Sequence, residues 1–251
     1  MYSKERTDKI IDILKTKKHV STAYLCQQLF ASPSTIRRDI LELEKSGVIK
    51  RSHGGVTLLP SSNIEYSYIF REMENQKEKN YICNLALDFI SNGYAIFLDS
   101  SSTVGSICPM LQKYTNLTVV TNGVKTGLEL AQMDSITTFI AGGQLKSGST
   151  SVVGELSGNF IDKFHADLAV ISCRGLNEEG AYEANQMQAL VKQHMIENSK
   201  ATILLADSSK FGQTHFYKLS SYKGLTAVIT DKQPSSRILN SILNDGCEVF
   251  Y

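Results

Sequence analysis

Near the front of the chain, apolar positions recur at helical spacing in three short stretches. In the first, Ile10, Ile11, Ile13 and Leu14 form a stripe among lysine, arginine and aspartate residues. The second begins at Val20-Ser21-Thr22, where a hydroxyl can cap the open amides, and predicts Ala23, Leu25 and Leu29 on its inner face with Cys26 beside them. A short link at Phe30-Ala31 follows. The third stretch opens with Ser32-Pro33, an N-cap ahead of a proline whose missing N–H costs nothing at that position. It runs through Ile36, Ile40, Leu41 and Leu43 to Ser46-Gly47, with glycine placed to end it. Val48 to Thr57 then reads as two short strands around a Gly54-Gly55 turn.

Beyond residue 75 the pattern changes. Near-continuous apolar runs at Tyr94–Leu98, Leu117–Thr121, Ile136–Ile140, Leu168–Ser172, Thr202–Ala206, Ala227–Thr230 and Glu248–Phe250 predict strands. Helical patterns alternate with them near 78–91, 123–133, 154–164, 186–199 and 234–244. Such alternation predicts a mainly parallel sheet covered on both faces. Between the two regions, Leu58 to Asn75 has little periodicity and contains Pro60-Ser61-Ser62-Asn63, so it reads as a connector with a short helix near Tyr66 to Arg71. The expected organisation is therefore a small helical and β-hairpin domain over 1–57, a linker over 58–75, and an α/β domain over 76–251.

Charge sharpens this division. Residues 1–57 carry 11 Lys and Arg against 6 Asp and Glu, whereas 58–251 carry 15 against 19. A basic front end joined to an acidic remainder predicts a polyanionic partner for the front end alone. No apolar run is long enough for a membrane span, and the charged amphipathic start lacks the apolar block of a signal peptide, so the expected location is the cytoplasm. The five cysteines are scattered without a Cys-x-x-Cys pair, which predicts reduced, buried thiols. The five histidines have no metal-ligand spacing, and neither a Walker loop nor a Gly-x-Gly-x-x-Gly run occurs, so no metal and no cofactor is expected.

Two closely linked short helices followed by a basic hairpin have the form of a winged helix-turn-helix. If Ile36, Ile40 and Leu43 face inward, Ser34, Thr35 and Arg38 share the outer face of the third helix and Arg37 lies on its flank. An arginine fork suits guanine O6 and N7, and hydroxyls at a helix start suit phosphate oxygens. Lys50, Arg51 and His53 run along the hairpin, where they can lie over a phosphate backbone; His53 either touches phosphate or packs the turn.

In a parallel sheet, ligands bind outside the carboxyl ends of the strands. Four such ends here are equipped for an anion. Asp99-Ser100-Ser101-Ser102-Thr103 precedes a helix, which Pro109 should kink or shorten. The others are Thr121-Asn122, Gly142-Gly143 and Asp207-Ser208-Ser209-Lys210. Arg174 adds a cation at the rim that either clamps an anion or pairs with Glu183.

The run Ser34-Thr35-Ile36-Arg37-Arg38-Asp39-Ile40, then Leu43-Glu44-Lys45-Ser46-Gly47, then Arg51-Ser52-His53-Gly54-Gly55, resembles the signature of the DeoR family of bacterial regulators. In that resemblance Arg37 and Arg38 are the paired arginines, and Asp39 is an acid that braces an arginine or caps locally. The likeness continues through Asp99 to Thr103, Thr121-Asn122, Gly142-Gly143 and Asp207 to Lys210, and it marks Lys192 as a recurrent lysine. It implies a sensor domain similar to ribose-5-phosphate isomerase, a phosphorylated sugar as effector, double-stranded operator DNA as partner, and a homodimer or homotetramer. Three positions depart from the family pattern: Ser-Ser-Ser-Thr stands where glycine is usual, Tyr182 where threonine is common, and Gln188 where glutamate is frequent. The function so implied is a repressor of a carbohydrate-utilisation operon. The alternative is a sugar-phosphate isomerase or deaminase, with a carboxylate base among Asp99, Glu183 and Asp207.

Overall fold

The computed structural model describes residues 3–45, 47–52, 54–59 and 68–251. The chain divides into two compact units, Met1–Arg71 and Glu72–Tyr251. Ser46, His53 and residues 60 to 67 of the expected connector lie outside the described residues.

The first unit contains α1 (Ser3–Lys17), β1 (His19–Ser21), α2 (Thr22–Leu29), α3 (Pro33–Lys45), β2 (Ile49–Ser52) and β3 (Gly55–Leu58). Its core is built from the residues that the periodicity marks: Ile10, Ile11 and Leu14 of α1, Leu25 and Leu29 of α2, and Ile36, Ile40 and Leu43 of α3. Val20, Val48, Ile49 and Val56 close it from the hairpin side. Ala23 is exposed instead, since it lies in the first turn of α2 on the side away from Leu25 and Leu29. Ser21 caps α2, its hydroxyl accepting from the Tyr24 amide at 3.1 Å. After α2 the chain reverses through Phe30, whose φ of 47° is left-handed.

The three strands pair antiparallel in the order β1-β3-β2, so a short strand that the sequence pattern merges into the start of α2 becomes part of the wing. The two glycines of the turn have different jobs. Gly54 adopts φ +87°, a conformation that side chains resist. Gly55 is needed for closeness instead: a Cβ there would stand 2.5 Å from the Val20 carbonyl oxygen.

Helix α4 (Tyr68–Met73) ends just past the division between the units. The second unit then continues with α5 (Gln76–Ala86), β4 (Ala95–Leu98), α6 (Ser102–Gly105), β5 (Leu117–Thr121), α7 (Val124–Leu130), β6 (Ile136–Ile140), β7 (Gln144–Leu145), β8 (Val152–Val153), α8 (Glu155–Ile161) and β9 (Ala166–Ser172). After these come β10 (Gly175–Asn177), β11 (Gly180–Glu183), α9 (Gln186–Glu197), β12 (Ser199–Leu205), β13 (Tyr217–Ser220), β14 (Ala227–Ile229), α10 (Ser236–Asn244) and β15 (Glu248–Phe250). Seven strands form one sheet in the order β15-β14-β12-β9-β4-β5-β6, and every pairing in it is parallel.

Both faces of that sheet are buried, which is why its strands read as unbroken apolar runs. Phe97, Val120, Ala169, Ile171, Leu204 and Val228 point into one core, which α8, α9 and α10 cover. Ile96, Leu98, Val119, Val170, Ile203 and Leu205 point into the other, beneath α5 and α7. Helix α6 lasts only four residues, and Pro109 opens a 3-10 turn over Cys108–Lys113. A separate antiparallel sheet, β10-β11-β13, and the β7-β8 hairpin stand outside the main sheet. Both matter for the site, because they bring residues to the carboxyl ends of the parallel strands.

Candidate nucleic-acid interface and anion site

Helix α3 owes its placement to a buried ion pair. Asp39 is fully buried, and the Arg6 guanidinium of α1 donates to it through Nε at 2.5 Å and Nη2 at 3.0 Å. That hydrogen bond holds Arg6 above its ordinary pKa. With Asp39 turned inward, Arg37 and Arg38 are left exposed. At the start of α3 the Ser32 hydroxyl accepts from the Thr35 amide and lies 2.9 Å from the hydroxyls of Ser34 and Thr35, so three hydroxyls gather at one helix N-terminus.

Arg37 and Arg51 line a cleft of about 350 Å³ between α3 and the wing, with Thr22, Ser52 and Gly54 around it. Lys50 is exposed on β2. Arg51 is tied back to α3, its Nε donating to Glu44 at 2.6 Å. Six of the seven residues expected to meet a polyanion thus lie on α3 and the wing, four of them basic. His53 is outside the described residues.

In the second unit a network of charges joins the ends of three parallel strands. Asp99, at the end of β4, is fully buried and accepts three bonds: from the amides of Ser101 at 2.7 Å and Ser172 at 2.8 Å, and from Lys192 at 2.9 Å. Lys192 on α9 spends all three of its ammonium protons, on Asp99, on Glu183 of β11 at 2.5 Å and on the Ser172 carbonyl at 2.6 Å. Burial disfavours its charge, yet the two carboxylates outweigh that and hold its pKa above the ordinary value.

Lys210 stands differently. Its Nζ donates to Thr103 Oγ1 at 3.1 Å and to Ser172 Oγ at 2.8 Å, with Asp207 at 3.6 Å. Its side chain keeps 13% exposure, against 6% for Lys192. Burial penalises the Asp207 carboxylate, but Lys210, Ser209 and Lys79 more than compensate and hold it below the usual carboxylate range. The Asn75 amide donates to Asp207 at 3.2 Å and to Ser209 at 3.3 Å, drawing the start of α5 onto the same rim.

A second polar group adjoins the first through Ser100, whose hydroxyl donates to Ser151 at 2.7 Å. Gln188 also donates to Ser151, at 3.1 Å. Asn122 at the end of β5 gives its amide to the Val152 carbonyl at 2.9 Å, and its Oδ1 is buried without a partner among the described residues. Thr121 turns its hydroxyl onto the Gly123 amide. Asp99 to Thr103, Thr121, Asn122, Lys192 and Lys210 are therefore brought to one end of one sheet.

Three expected residues stand apart from this network. Gly142 and Gly143 are exposed, and no described hydrogen bond joins them to it. Gly143 serves packing: a Cβ there would meet the Val153 carbonyl at 2.9 Å. Arg174 does not pair with Glu183, which Lys192 occupies; the Arg174 Nε is buried without a hydrogen-bond partner among the described residues.

One contributor escapes the sequence reading. Lys79 on α5 is buried and donates to Ser102 at 3.2 Å. Its signal was present, since it shares one helical stripe with Ile82, Cys83 and Ala86, and an ionisable residue within an apolar stripe marks a buried polar site.

Comparison with known proteins places both units. Residues 6–62 match the DeoR-like helix-turn-helix domain and residues 74–232 match the DeoR C terminal sensor domain. The chain is 31% identical over 246 residues to the glycerol-3-phosphate regulon repressor of Escherichia coli, covering 98% of this chain and 97% of that one. It is 32% identical over 249 residues to the HTH-type transcriptional repressor GlcR of Bacillus subtilis, covering 99% and 96%. Among solved structures it is similar to ribose 5 phosphate isomerase A from Neisseria gonorrhoeae, with 16% identity, a TM-score of 0.41, and 54% of this chain and 53% of that one covered. The family and the relatives named for it are regulators of transcription rather than enzymes. The chain belongs to the DeoR family of transcriptional regulators, with a helix-turn-helix for DNA at its front and the family's sensor domain behind it.

Proposed function

We propose that this chain represses a carbohydrate-utilisation operon in the cytoplasm, as a homodimer or homotetramer. Its hold on operator DNA is set by a phosphorylated sugar. Ser34, Thr35, Arg37, Arg38, Lys50, Arg51 and His53 meet the duplex. The arginines of α3 read base edges, and the hydroxyls and wing cations hold phosphates. The effector's anionic group lies against Ser101, Ser102, Thr103 and Lys210, with Asn122 facing its polar body. Lys192 and Asp99 act one step removed, by fixing the loop that carries those groups.

The observation that carries this reading is Lys210. It is a partly exposed cation held between Thr103 and Ser172, where two strand ends meet, and its neighbour Lys192 has no proton left to give. The name of one relative, a glycerol-3-phosphate regulon repressor, supports a phosphorylated small molecule as effector. A ligand that favours one arrangement of the protein shifts DNA binding by its differential affinity for the two arrangements.

The test is fluorescence anisotropy of the full-length protein on duplexes from the region upstream of its own and adjoining genes, with and without phosphorylated sugars. Operator affinity should fall steeply with salt and change at least tenfold with one phosphorylated sugar and not with its unphosphorylated form. Binding that ignores every phosphorylated sugar, or no binding to any duplex at low salt, defeats the proposal.

A further inference from the structure

The main sheet ends on two unequal edges. At one edge, β15 is three residues long and carries the exposed, charged Glu248. At the other, β6 is five residues, Ile-Thr-Thr-Phe-Ile, without a charge or a proline, and among the described strands it pairs only with β5. A neutral, unblocked edge is a template for another strand, and proteins that keep such an edge to themselves normally blunt it with lysine, proline or a bulge.

The surroundings of β6 are apolar on both faces of the sheet. Ile140 is 45% exposed and Phe139 40%, although each is a large side chain next to a core. Ile140 rests on α7, where a Cβ at Gly127 would come within 3.2 Å of its Cδ1, and the next residue, Leu128, is 65% exposed. Phe139 points to the other face and packs against Phe164 in a tilted arrangement with centroids 5.2 Å apart. Leu145 of β7 and Leu156 of α8 are 58% and 72% exposed. Gly143, just before β7, packs beside the amide of Ser157, the residue after Leu156 on α8.

We propose that this ridge, the outer edge of β6 flanked by Leu128, Leu145 and Leu156, is where a second copy of this chain docks, edge against edge about a twofold axis. The inference rests on the oligomeric reading given above and names its surface. A twofold pairing of one strand with its own copy is antiparallel, and it gives partners to the unpaired N–H and C=O groups of both copies at once. The five side chains leave on the order of 500 Å² of apolar surface open per copy, which is about the non-polar share of the ~800 Å² that each partner of a stable interface buries.

The experiment is sedimentation equilibrium of the full-length chain at micromolar concentration, for the wild type, Ile140→Lys, Leu128→Glu and, at the opposite edge of the sheet, Leu243→Lys. The wild type and Leu243→Lys should have the same multiple of the chain mass, and Ile140→Lys and Leu128→Glu half of it, with circular dichroism unchanged. Should Ile140→Lys fail to fold, Thr137→Cys in a Cys26→Ser background should crosslink between copies with a short bismaleimide. A wild type that is oligomeric while both ridge variants keep its mass, or Thr137→Cys without a crosslink, overturns the ridge and leaves the oligomer standing. A monomeric wild type overturns both, including the case in which the edge serves another protein's strand. The operator and effector reading is judged separately, by its own titration.

Discussion

The ammonium of Lys192 and the carboxylate of Asp99 meet at 2.9 Å inside the sensor unit, and the ammonium has no proton left for a ligand. Together with Glu183 they fix the end of β4 against the end of β9. Lys192→Met leaves two buried carboxylates facing no ammonium, so the sensor unit should lose about 3–5 kcal/mol in urea unfolding. Neutralising the carboxylates in the same chain, with Asp99→Asn and Glu183→Gln, should restore much of that loss.

Lys210 predicts the opposite separation. Lys210→Ala should remove the response to phosphorylated sugar in the anisotropy titration and leave operator affinity within about threefold, the change in affinity that corresponds to under ~1 kcal/mol. Lost operator binding instead would make Lys210 a structural residue.

On the DNA side, Arg38 and Arg6 test different things. Arg38→Ala removes an exposed group, so it should weaken specific-site binding by ~1–3 kcal/mol and relax base choice, with the unfolding midpoint unchanged. Arg6→Ala strips a charge partner from the buried Asp39, and it should destabilise the first unit by about 3 kcal/mol in thermal unfolding.

Acid should unfold the sensor unit through Asp207 and Asp167. Asp207 is held below the usual carboxylate range against its burial, by Lys210, Ser209 and Lys79. Asp167 is lowered by its hydrogen bond from Lys200. Near their unfolded pKa of about 3.9 the unfolded chain binds more protons than the native one, so stability rises with pH there. Their contribution is complete above that value and is lost as pH falls through the lower native one. The midpoint measured calorimetrically from pH 2 to 8 should drop below about pH 4, and Asp207→Asn should flatten that limb. Lys192 has the opposite sign: its raised value gives stability that is complete below about pH 10.4 and is lost only as pH climbs through the native value.

Burial pushes the thiols of Cys83, Cys108, Cys173 and Cys247 up to about 12. They should stay protonated and silent towards Ellman's reagent in the native protein at pH 8. Only Cys26, which is half-buried, should react before denaturation, and all five after it.

Much of this architecture was legible in the chain because its strongest signals are local. Seven apolar runs became the seven strands of the parallel sheet, since burial on both faces leaves no polar alternation to confuse them. Ser32-Pro33 and Gly47 set the limits of α3 through backbone rules that need no tertiary context. What the sequence pattern hid is what tertiary contact decides. Strands β10, β11 and β13 are three or four residues each, too short for a period to show, and they carry Glu183 to Lys192. The same limit applies to Lys192 itself. The family likeness marks it as recurrent, but only its three contacts show that it braces the site and leaves Lys210 to face outward.

The close approach of Gly55 to Val20 has an evolutionary consequence. A carbonyl oxygen of the main chain cannot swing aside as a side chain can, so any replacement at this position would prise β3 from β1 and tilt the wing. Divergence within such a domain is thereby channelled: the exposed residues of α3 and β2 are free to vary and to acquire new operator preferences, while the joint that aims them is barred from mutational drift.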